Sequence, residues 1–413
     1  MNQHILLIGC FDTKGALFAH LRHCILARGE QVIAINTGVM DSTTAFPVEY
    51  EASAVAQAAN YTLDYLRNRQ DRGLAIDVMG RGAAVITKQL VDTGRIKAVI
   101  GMGGGGGTFI TLLAMQVVPF GIPKLCLTTL AAKDLSRQVG QKDITLMSSV
   151  VDIAGLNSII TPLIEQAGAA ICAMANVDTT AGQPTSAGRV AISMFGNTTA
   201  CVAQCTILLQ KQGYEVLAFH ATGVGGKTME AFIREGYFDA VLDVTTTELA
   251  DDLCGGICSA GPERLLAAAH LGIPAVVVPG CLDMVNFGQP DTVPVAYRNR
   301  MLYSWAPDVT LMRTNEAENN ELGIRLAQKV SQSTGPVTVV LPMNGISQID
   351  AEGGVFYWPA ADEALFRAIK NNIAATVNLI ESAAHINDTV FSNLLVGCLL
   401  ALMKQRKPAA ETN

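Results

Sequence analysis

The segment Gly29-Glu30-Gln31-Val32-Ile33-Ala34-Ile35-Asn36-Thr37-Gly38-Val39 returns later as Gly213-Tyr214-Glu215-Val216-Leu217-Ala218-Phe219-His220-Ala221-Thr222-Gly223-Val224, the same phrase with one residue inserted. An apolar run ending in glycine precedes each copy, residues 5–9 and 190–196, followed in each case by a helical stretch, 16–27 and 200–211. Two more pairs follow in the same order. Gly94-Arg95-Ile96-Lys97-Ala98-Val99-Ile100 answers Gly236-Tyr237-Phe238-Asp239-Ala240-Val241-Leu242, and Gly121-Ile122-Pro123 with the apolar run after it answers Gly272-Ile273-Pro274 with its own. Four strands matched in one order imply two similar units joined in one chain. Each unit alternates short apolar runs with amphipathic helices, which predicts an α/β fold: two Rossmann-like units with mostly parallel sheets and helices on both faces. The expected division is a nucleotide-binding α/β domain over 1–175, a linker rich in Thr, Gly, Pro and Ser over 176–189, and a second α/β domain over 190–413. The second unit adds strands at 309–312 and 337–341, with a helical C-terminus from about Asp362.

The bulk numbers narrow the function. A chain of 413 residues exceeds one ordinary domain. Half of it is hydrophobic and 16% is charged, against a usual level of about 25%. That deficit implies a large core and a buried subunit interface, hence a homodimer or other homo-oligomer. A net charge of −7 argues against nucleic acid as a partner, because phosphate backbones need basic surface. Met1-Asn2-Gln3-His4 runs straight into apolar residues with no basic stretch, so no signal peptide is expected. The longest apolar stretch, 390–403, contains Ser392 and Asn393 and is too short for a bilayer. It reads as a buried helix, and a cytoplasmic chain with no membrane partner is expected. Of ten cysteines, Cys201/Cys205 and Cys254/Cys258 share a C-x-x-x-C spacing without further ligands nearby. They read as buried thiols, with no metal site.

Ligands bind beyond the carboxyl ends of the strands of an open parallel sheet, so the residues just after each strand are the informative ones. Gly103, Gly104, Gly105, Gly106 and Gly107 stand between a strand and a helix expected to start near Thr108. Without Cβ atoms, their amides can turn toward one anion at a helix N-terminus. This predicts a phosphate cradle. Thr13 and Lys14 open the helix after the first strand, where they suit a phosphate, while Asp12 or Thr13 can equally cap that helix. Thr37 follows the second strand, placed for a ribose or phosphate. Arg81, between Gly80 and Gly82, reads as the start of another helix, suited to bidentate phosphate binding or left as an exposed turn residue.

In the second unit Ala221-Thr222-Gly223-Val224-Gly225-Gly226-Lys227-Thr228 fits a permissive P-loop, with Asp243 in the place of a magnesium-holding acid. The loop follows the second strand of its unit and the crossover from Thr228 to Asp243 is short, so a phosphate- or carboxylate-binding turn is the better reading. His220, Asp243, Glu248 and His385 are the candidates for acid–base work. Thr222, Gly223, Gly225, Gly226, Thr245, Thr246, Asp283 and Asn286 are the candidates for holding a small anionic metabolite. These groups are expected to converge on a second pocket.

Several phrases resemble one family: residues 101–108, 150–157, 220–226, 242–251 and 279–288. It is an uncharacterised bacterial and fungal family that includes the ATP-binding N-terminal domain of the tomato mosaic virus resistance protein. The resemblance spans nearly the whole chain. It implies ATP, alone or with magnesium, at Thr13, Thr37, Arg81 and the glycines Gly103 to Gly106. The plant relative blocks viral replication by binding the viral replication protein, a role that depends on a plant virus and does not extend to this chain. Two readings remain: an enzyme acting on a small anionic metabolite held by the second unit, or a nucleotide-responsive binding protein or dimeric scaffold without turnover.

Overall fold

Ile5, Leu6, Leu7 and Ile8 are all fully buried because both faces of their strand are covered. Side chains alternate along a strand, so Ile5 and Leu7 enter one core and Leu6 and Ile8 the other. Each such side chain contributes roughly 1.5–3 kcal/mol by leaving water. A computed structural model describes residues 3–178 and 186–405. It divides into unit 1, Met1–Gln183, and unit 2, Pro184–Asn413. The linker expected over 176–189 lies between the helix Ile160–Ala175 and the strand that opens at Arg189, and its residues 179–185 are outside the described residues.

Unit 1 is one parallel sheet of β1 (His4–Gly9), β2 (Val32–Asn36), β3 (Ile96–Gly103), β4 (Lys124–Thr128) and β5 (Ile144–Ser148), in the order β2-β1-β3-β4-β5. Helices Phe11–Leu26 and Ile160–Ala175 cover one face, and Ala52–Ala58, Arg72–Asp92 and Gly105–Met115 the other. The order reverses between β1 and β3, and that switch point opens a crevice at the carboxyl edge.

Unit 2 repeats the plan. Its strands are β6 (Arg189–Met194), β7 (Glu215–His220), β8 (Ala240–Thr245), β9 (Ala275–Gly280), β10 (Met284–Phe287), β11 (Leu302–Ala306), β12 (Val309–Arg313), β13 (Val337–Pro342) and β14 (Asn378–Ser382). Six form a parallel sheet in the order β14-β13-β9-β8-β6-β7. The four strands matched by sequence, β6 to β9, thus hold the places of β1 to β4, and the expected α/β class with two Rossmann-like units is observed. The register agrees as well: Ile8 of β1 faces Gly101 of β3, and Ser193 of β6 faces Asp243 of β8.

Two expectations for the end of the chain need correcting. The strand at 309–312 does not extend the parallel sheet; it pairs antiparallel with β10 and β11 in a separate three-stranded sheet, β10-β12-β11. Pro307 and Asp308 make the turn that folds β11 back on β12, and a short turn joins strands only antiparallel. The helical C-terminus is interrupted by β14, an edge strand whose half-exposed face carries no continuous apolar run. The apolar helix Thr389–Gln405 packs Phe391, Leu395 and Leu399 into the sheet, and among the described residues no helix is long and apolar enough to cross a membrane.

Candidate functional site

Three strand ends of unit 1 meet around a cavity of about 870 Å³, within the usual range for small-molecule sites. The loops that shape it are held by their own polar groups. The Asp12 carboxylate accepts from Thr13 N at 2.7 Å and Met40 N at 3.1 Å, tying the turn after β1 to the turn after β2. Asn36 Oδ1 accepts from Phe11 N at 3.1 Å and Gly38 N at 3.0 Å. Arg67 donates to Val39 O at 2.7 Å and to Met40 O. Thr13, Lys14, Thr37, Gly104, Gly105, Gly106 and Gly107 all line the cavity. Lys14 leaves helical geometry (φ −128°, ψ 20°) and its Nζ reaches Ile153 O, on the loop that brings Asp152 to the rim. Thr37 is buried, with Oγ1 3.5 Å from Cys10 Sγ. Burial, only partly offset by that hydrogen bond, pushes the Cys10 thiol up, so Cys10 is not an activated nucleophile.

The glycine run differs in detail from expectation. Gly103 ends β3, Gly104 is the N-cap, and the helix begins at Gly105 rather than near Thr108. The first intrahelical bond is Thr108 N to Gly104 O at 2.9 Å, so the amides of Gly105, Gly106 and Gly107 precede the helical ladder and face the cavity end. Contact excludes a side chain at only some of these positions. A Cβ on Gly103 would lie 2.8 Å from Gly107 Cα and one on Gly106 2.9 Å from Ile76 Cδ1, whereas one on Gly105 would project into open space. Thr108 does not line the cavity: its hydroxyl turns inward to Gly103 O at 3.1 Å and Thr128 Oγ1 at 2.6 Å.

Arg81 is a clear correction. It lies in the middle of Arg72–Asp92, not at a helix start, and is exposed, paired with Asp77 at 2.9 Å and set over the Tyr61 ring. Gly80 and Gly82 serve helix packing: Cβ atoms there would lie 2.9 Å from Leu113 Cδ2 and 1.9 Å from Val55 O. The cation that this helix brings to the cavity is Arg72, its first residue; reading strand ends singles out neither it nor Arg67 and Asp152, and gives Asp12 only as a cap. The missed signal was the cap at Asp71, whose Oδ1 accepts from Leu74 N at 3.0 Å.

Among the described residues of unit 2, the side chains expected at a second pocket do not converge on a shared cavity. Arg264, fully buried, gathers the carboxylates instead. It donates to Asp243 Oδ2 at 2.5 Å and Oδ1 at 2.7 Å, to Glu248 Oε2 at 2.5 Å and to Glu230 Oε1 at 3.4 Å. Burial opposes its charge, but Asp243, Glu248 and Glu230 outweigh burial and raise its pKa further. Burial pushes the Glu230 carboxyl up, against the pull of Arg264. Asp243 also accepts from Ser193 Oγ at 2.6 Å. The void beside Asp243 and Glu230 is about 20 Å³, room for a water and not for a substrate.

The remaining residues expected at that pocket scatter. His220 stacks on Phe195 at 5.4 Å, at the exposed end of β7. His385 has both ring nitrogens engaged, Nε2 with Ser347 O at 2.8 Å and Nδ1 accepting from Asn387 N at 3.1 Å. Thr222 Oγ1 bonds His220 O, Thr245 Oγ1 meets Thr198 Oγ1 at 2.7 Å, and Thr246 Oγ1 donates to Val278 O. Asp283 accepts from Ser347 Oγ at 2.7 Å beside a second buried arginine, Arg313, and burial raises its carboxyl to about 6. Asn286 donates to Asp251 at 2.8 Å. Gly223 and Gly226 donate their amides to Glu248 Oε1 at 2.8 and 3.0 Å, so the P-loop-like turn already holds an anion. Thr228 Oγ1 bonds Val224 O within its own helix. All ten cysteines are free thiols, and among the described residues no group of three or more His, Cys, Asp or Glu is placed to share a metal ion.

Residues 3–180 match the N-terminal domain, and residues 187–403 the C-terminal domain, of the uncharacterised protein family UPF0261. The chain belongs to the UPF0261 family. A UPF0261 protein of Clostridium tetani is 40% identical over 98% of this chain and its own full length, and one of Mesorhizobium japonicum 38% identical over 96% and 98%. The ToMV resistance protein Tm-1 of Solanum lycopersicum is 38% identical over 80% of this UPF0261 chain, a match covering 45% of its own length. Among solved structures, a UDP-N-acetylglucosamine 2-epimerase (8% identity, 91% and 92% covered, TM-score 0.22) and Acinetobacter baumannii MurG (11%, 97% and 99%, 0.21) overlay too loosely to carry any argument about function.

Proposed function

We propose that unit 1 binds ATP, or a nucleotide of the same kind, and that this UPF0261 chain works as a nucleotide-responsive binding protein. The observation that carries the reading is the row of amides at Gly105, Gly106 and Gly107, which precede the first intrahelical bond, open a helix at the switch point of a parallel sheet and line a cavity of about 870 Å³. Lys14 and Arg72 supply positive charge at the same cavity, and Thr13 and Thr37 supply hydroxyls. Val39, Leu66, Ile76 and Ile110 form an apolar wall suited to a base. Magnesium carried in with a triphosphate would keep its waters and phosphate oxygens and draw on Asp12 or Asp152. The low charge content further supports a homo-oligomer.

The alternative, an enzyme using unit 2 for acid–base chemistry, loses its support. Asp243 and Glu248 spend their oxygens on Arg264 and backbone amides, and His220 and His385 lie apart from them. Calorimetric titration with ATP, AMP and inorganic phosphate, with and without magnesium, tests the reading. Saturable ATP binding that weakens stepwise as phosphates are removed is the expected result; no heat with any of the three overturns it.

A further inference from the structure

The register that aligns the two units also aligns their turns. Gly101 and Asp243 hold matching rungs, so the turn after β3, which carries the glycine run, answers the turn after β8, which carries Glu248 at the start of the helix Glu248–Cys254. Where unit 1 has glycines that leave space, unit 2 has a glutamate whose side chain fills it. We infer that unit 2 contains a second anion-binding site at the same edge, built on the turn after β7 rather than the turn after β8, which the chain keeps closed by seating the Glu248 carboxylate in it.

Every component of an oxyanion site is present around that carboxylate. Oε1 accepts two amides, from Gly223 and Gly226, at the start of the helix Val224–Arg234. Oε2 accepts Arg264 Nε at 2.5 Å from a guanidinium with no exposure to solvent. Gly223 supplies the positive φ of 83° that turns its amide inward, a conformation that favours glycine. The fit leaves no slack: a Cβ on Gly226 would lie 2.1 Å from Glu248 Oε2. Two amides, a helix N-terminus and a guanidinium are the donor set that takes phosphate or a small carboxylate. The carboxylate also pins the turn after β7 to the turn after β8, the two loops that in unit 1 stay apart around a cavity. Among the described residues, unit 1 therefore holds an open anion site and unit 2 a closed one. The unit 2 half of this inference stands on its own geometry; only the open site rests on the nucleotide reading of unit 1.

Glu248→Ala empties the closed site while Asp243 and Glu230 still pair Arg264. Its thermal unfolding is measured in phosphate, in formate and in chloride at matched ionic strength, beside the unaltered chain and Glu248→Gln. The expected result is a midpoint for Glu248→Ala that falls by several degrees in chloride and recovers by roughly 3–6 °C in phosphate or formate beyond any shift of the unaltered chain. Glu248→Gln, which fills the space, shows no such recovery. The unaltered chain reports any phosphate binding in unit 1, so failure of the nucleotide reading would show there and leave the difference intact. Equal shifts in all three proteins overturn the inference. If Glu248→Ala does not fold in chloride, refolding yield is compared between salts: recovery in phosphate or formate alone supports the closed site, and no recovery in any salt overturns it.

Discussion

Unit 1 and unit 2 share a strand order and a register, and each carries a glycine-rich turn at the carboxyl edge of its sheet, after β3 in one and after β7 in the other, yet one edge is hollow and the other is filled. In unit 1 the amides of Gly105, Gly106 and Gly107 face a cavity, with Lys14 and Arg72 at its wall. In unit 2 the amides of Gly223 and Gly226 face Glu248, and Arg264 closes around it with Asp243 and Glu230. The backbone plan thus places a helix N-terminus with glycine amides at this edge twice. On the matched turns after β3 and β8, a run of glycines leaves the first edge open and the Glu248 side chain fills the second.

The largest test of this contrast is Arg264→Met. Removing the guanidinium leaves three buried carboxylates with hydrogen-bond donors but without their cation, and breaking such a pair costs about 3–5 kcal/mol. Chemical denaturation is expected to show unit 2 weakened by that amount while ATP affinity in unit 1 holds. A variant as stable as the parent would mean that these carboxylates do not depend on Arg264.

Bulky residues at Gly104 and Gly105 should do the reverse. A Cβ on Gly105 meets open space and one on Gly104 only an ordinary contact, Thr129 Oγ1 at 3.8 Å, so the fold tolerates the change, but side chains there block approach to the amides. Calorimetry is expected to show ATP affinity lower by about a hundredfold or more, about 2.8 kcal/mol, with denaturation of unit 2 unchanged. Unchanged affinity would place the nucleotide elsewhere.

The acid cluster of unit 2 should also leave a mark in the pH profile. Burial, only partly offset by Asn286, raises the Asp251 carboxyl from 3.8 to about 7. The folded chain then holds that proton more tightly than the unfolded chain, so the contribution is fully present below pH ~4 and is lost as pH rises toward ~7. Asp251→Asn is neutral throughout and should remove a slope of up to ~1.4 kcal/mol per pH unit across that window. Denaturation series at several pH values compare the two, and parallel curves would show that Asp251 keeps its ordinary acidity.

The smallest effect separates two arginines of one helix. Arg72→Ala should weaken ATP binding roughly tenfold, as loss of one charge-assisted contact does. Arg81→Ala should change neither affinity nor stability by more than about 0.5 kcal/mol, because its pair with Asp77 is exposed. If Arg81 proves the costlier loss, the phosphate end of the site has been assigned to the wrong end of the helix.

The sequence by itself determined the duplicated α/β plan, because strands buried on both faces must be written as unbroken apolar runs, and those runs repeat in order. It also marked the glycine run after β3, since only glycine leaves amides bare at a strand-to-helix turn. Placement of single side chains was legible only where the chain is locally constrained. Thr13, Lys14 and Thr37 sit within a few residues of strands and reach the cavity, whereas Arg81 was misplaced because the cap at Asp71, which sets where its helix starts, was overlooked. For unit 2 only the tertiary structure could decide. His220, Asp243, Glu248 and His385 look alike on paper as groups at strand ends, and Arg264 lies on no strand end at all. Whether carboxylates face a substrate or a guanidinium depends on contacts between residues far apart in the chain. Such contacts are set by burial, which a single sequence does not spell out, and burial is what turned the expected pocket into an ion-paired core.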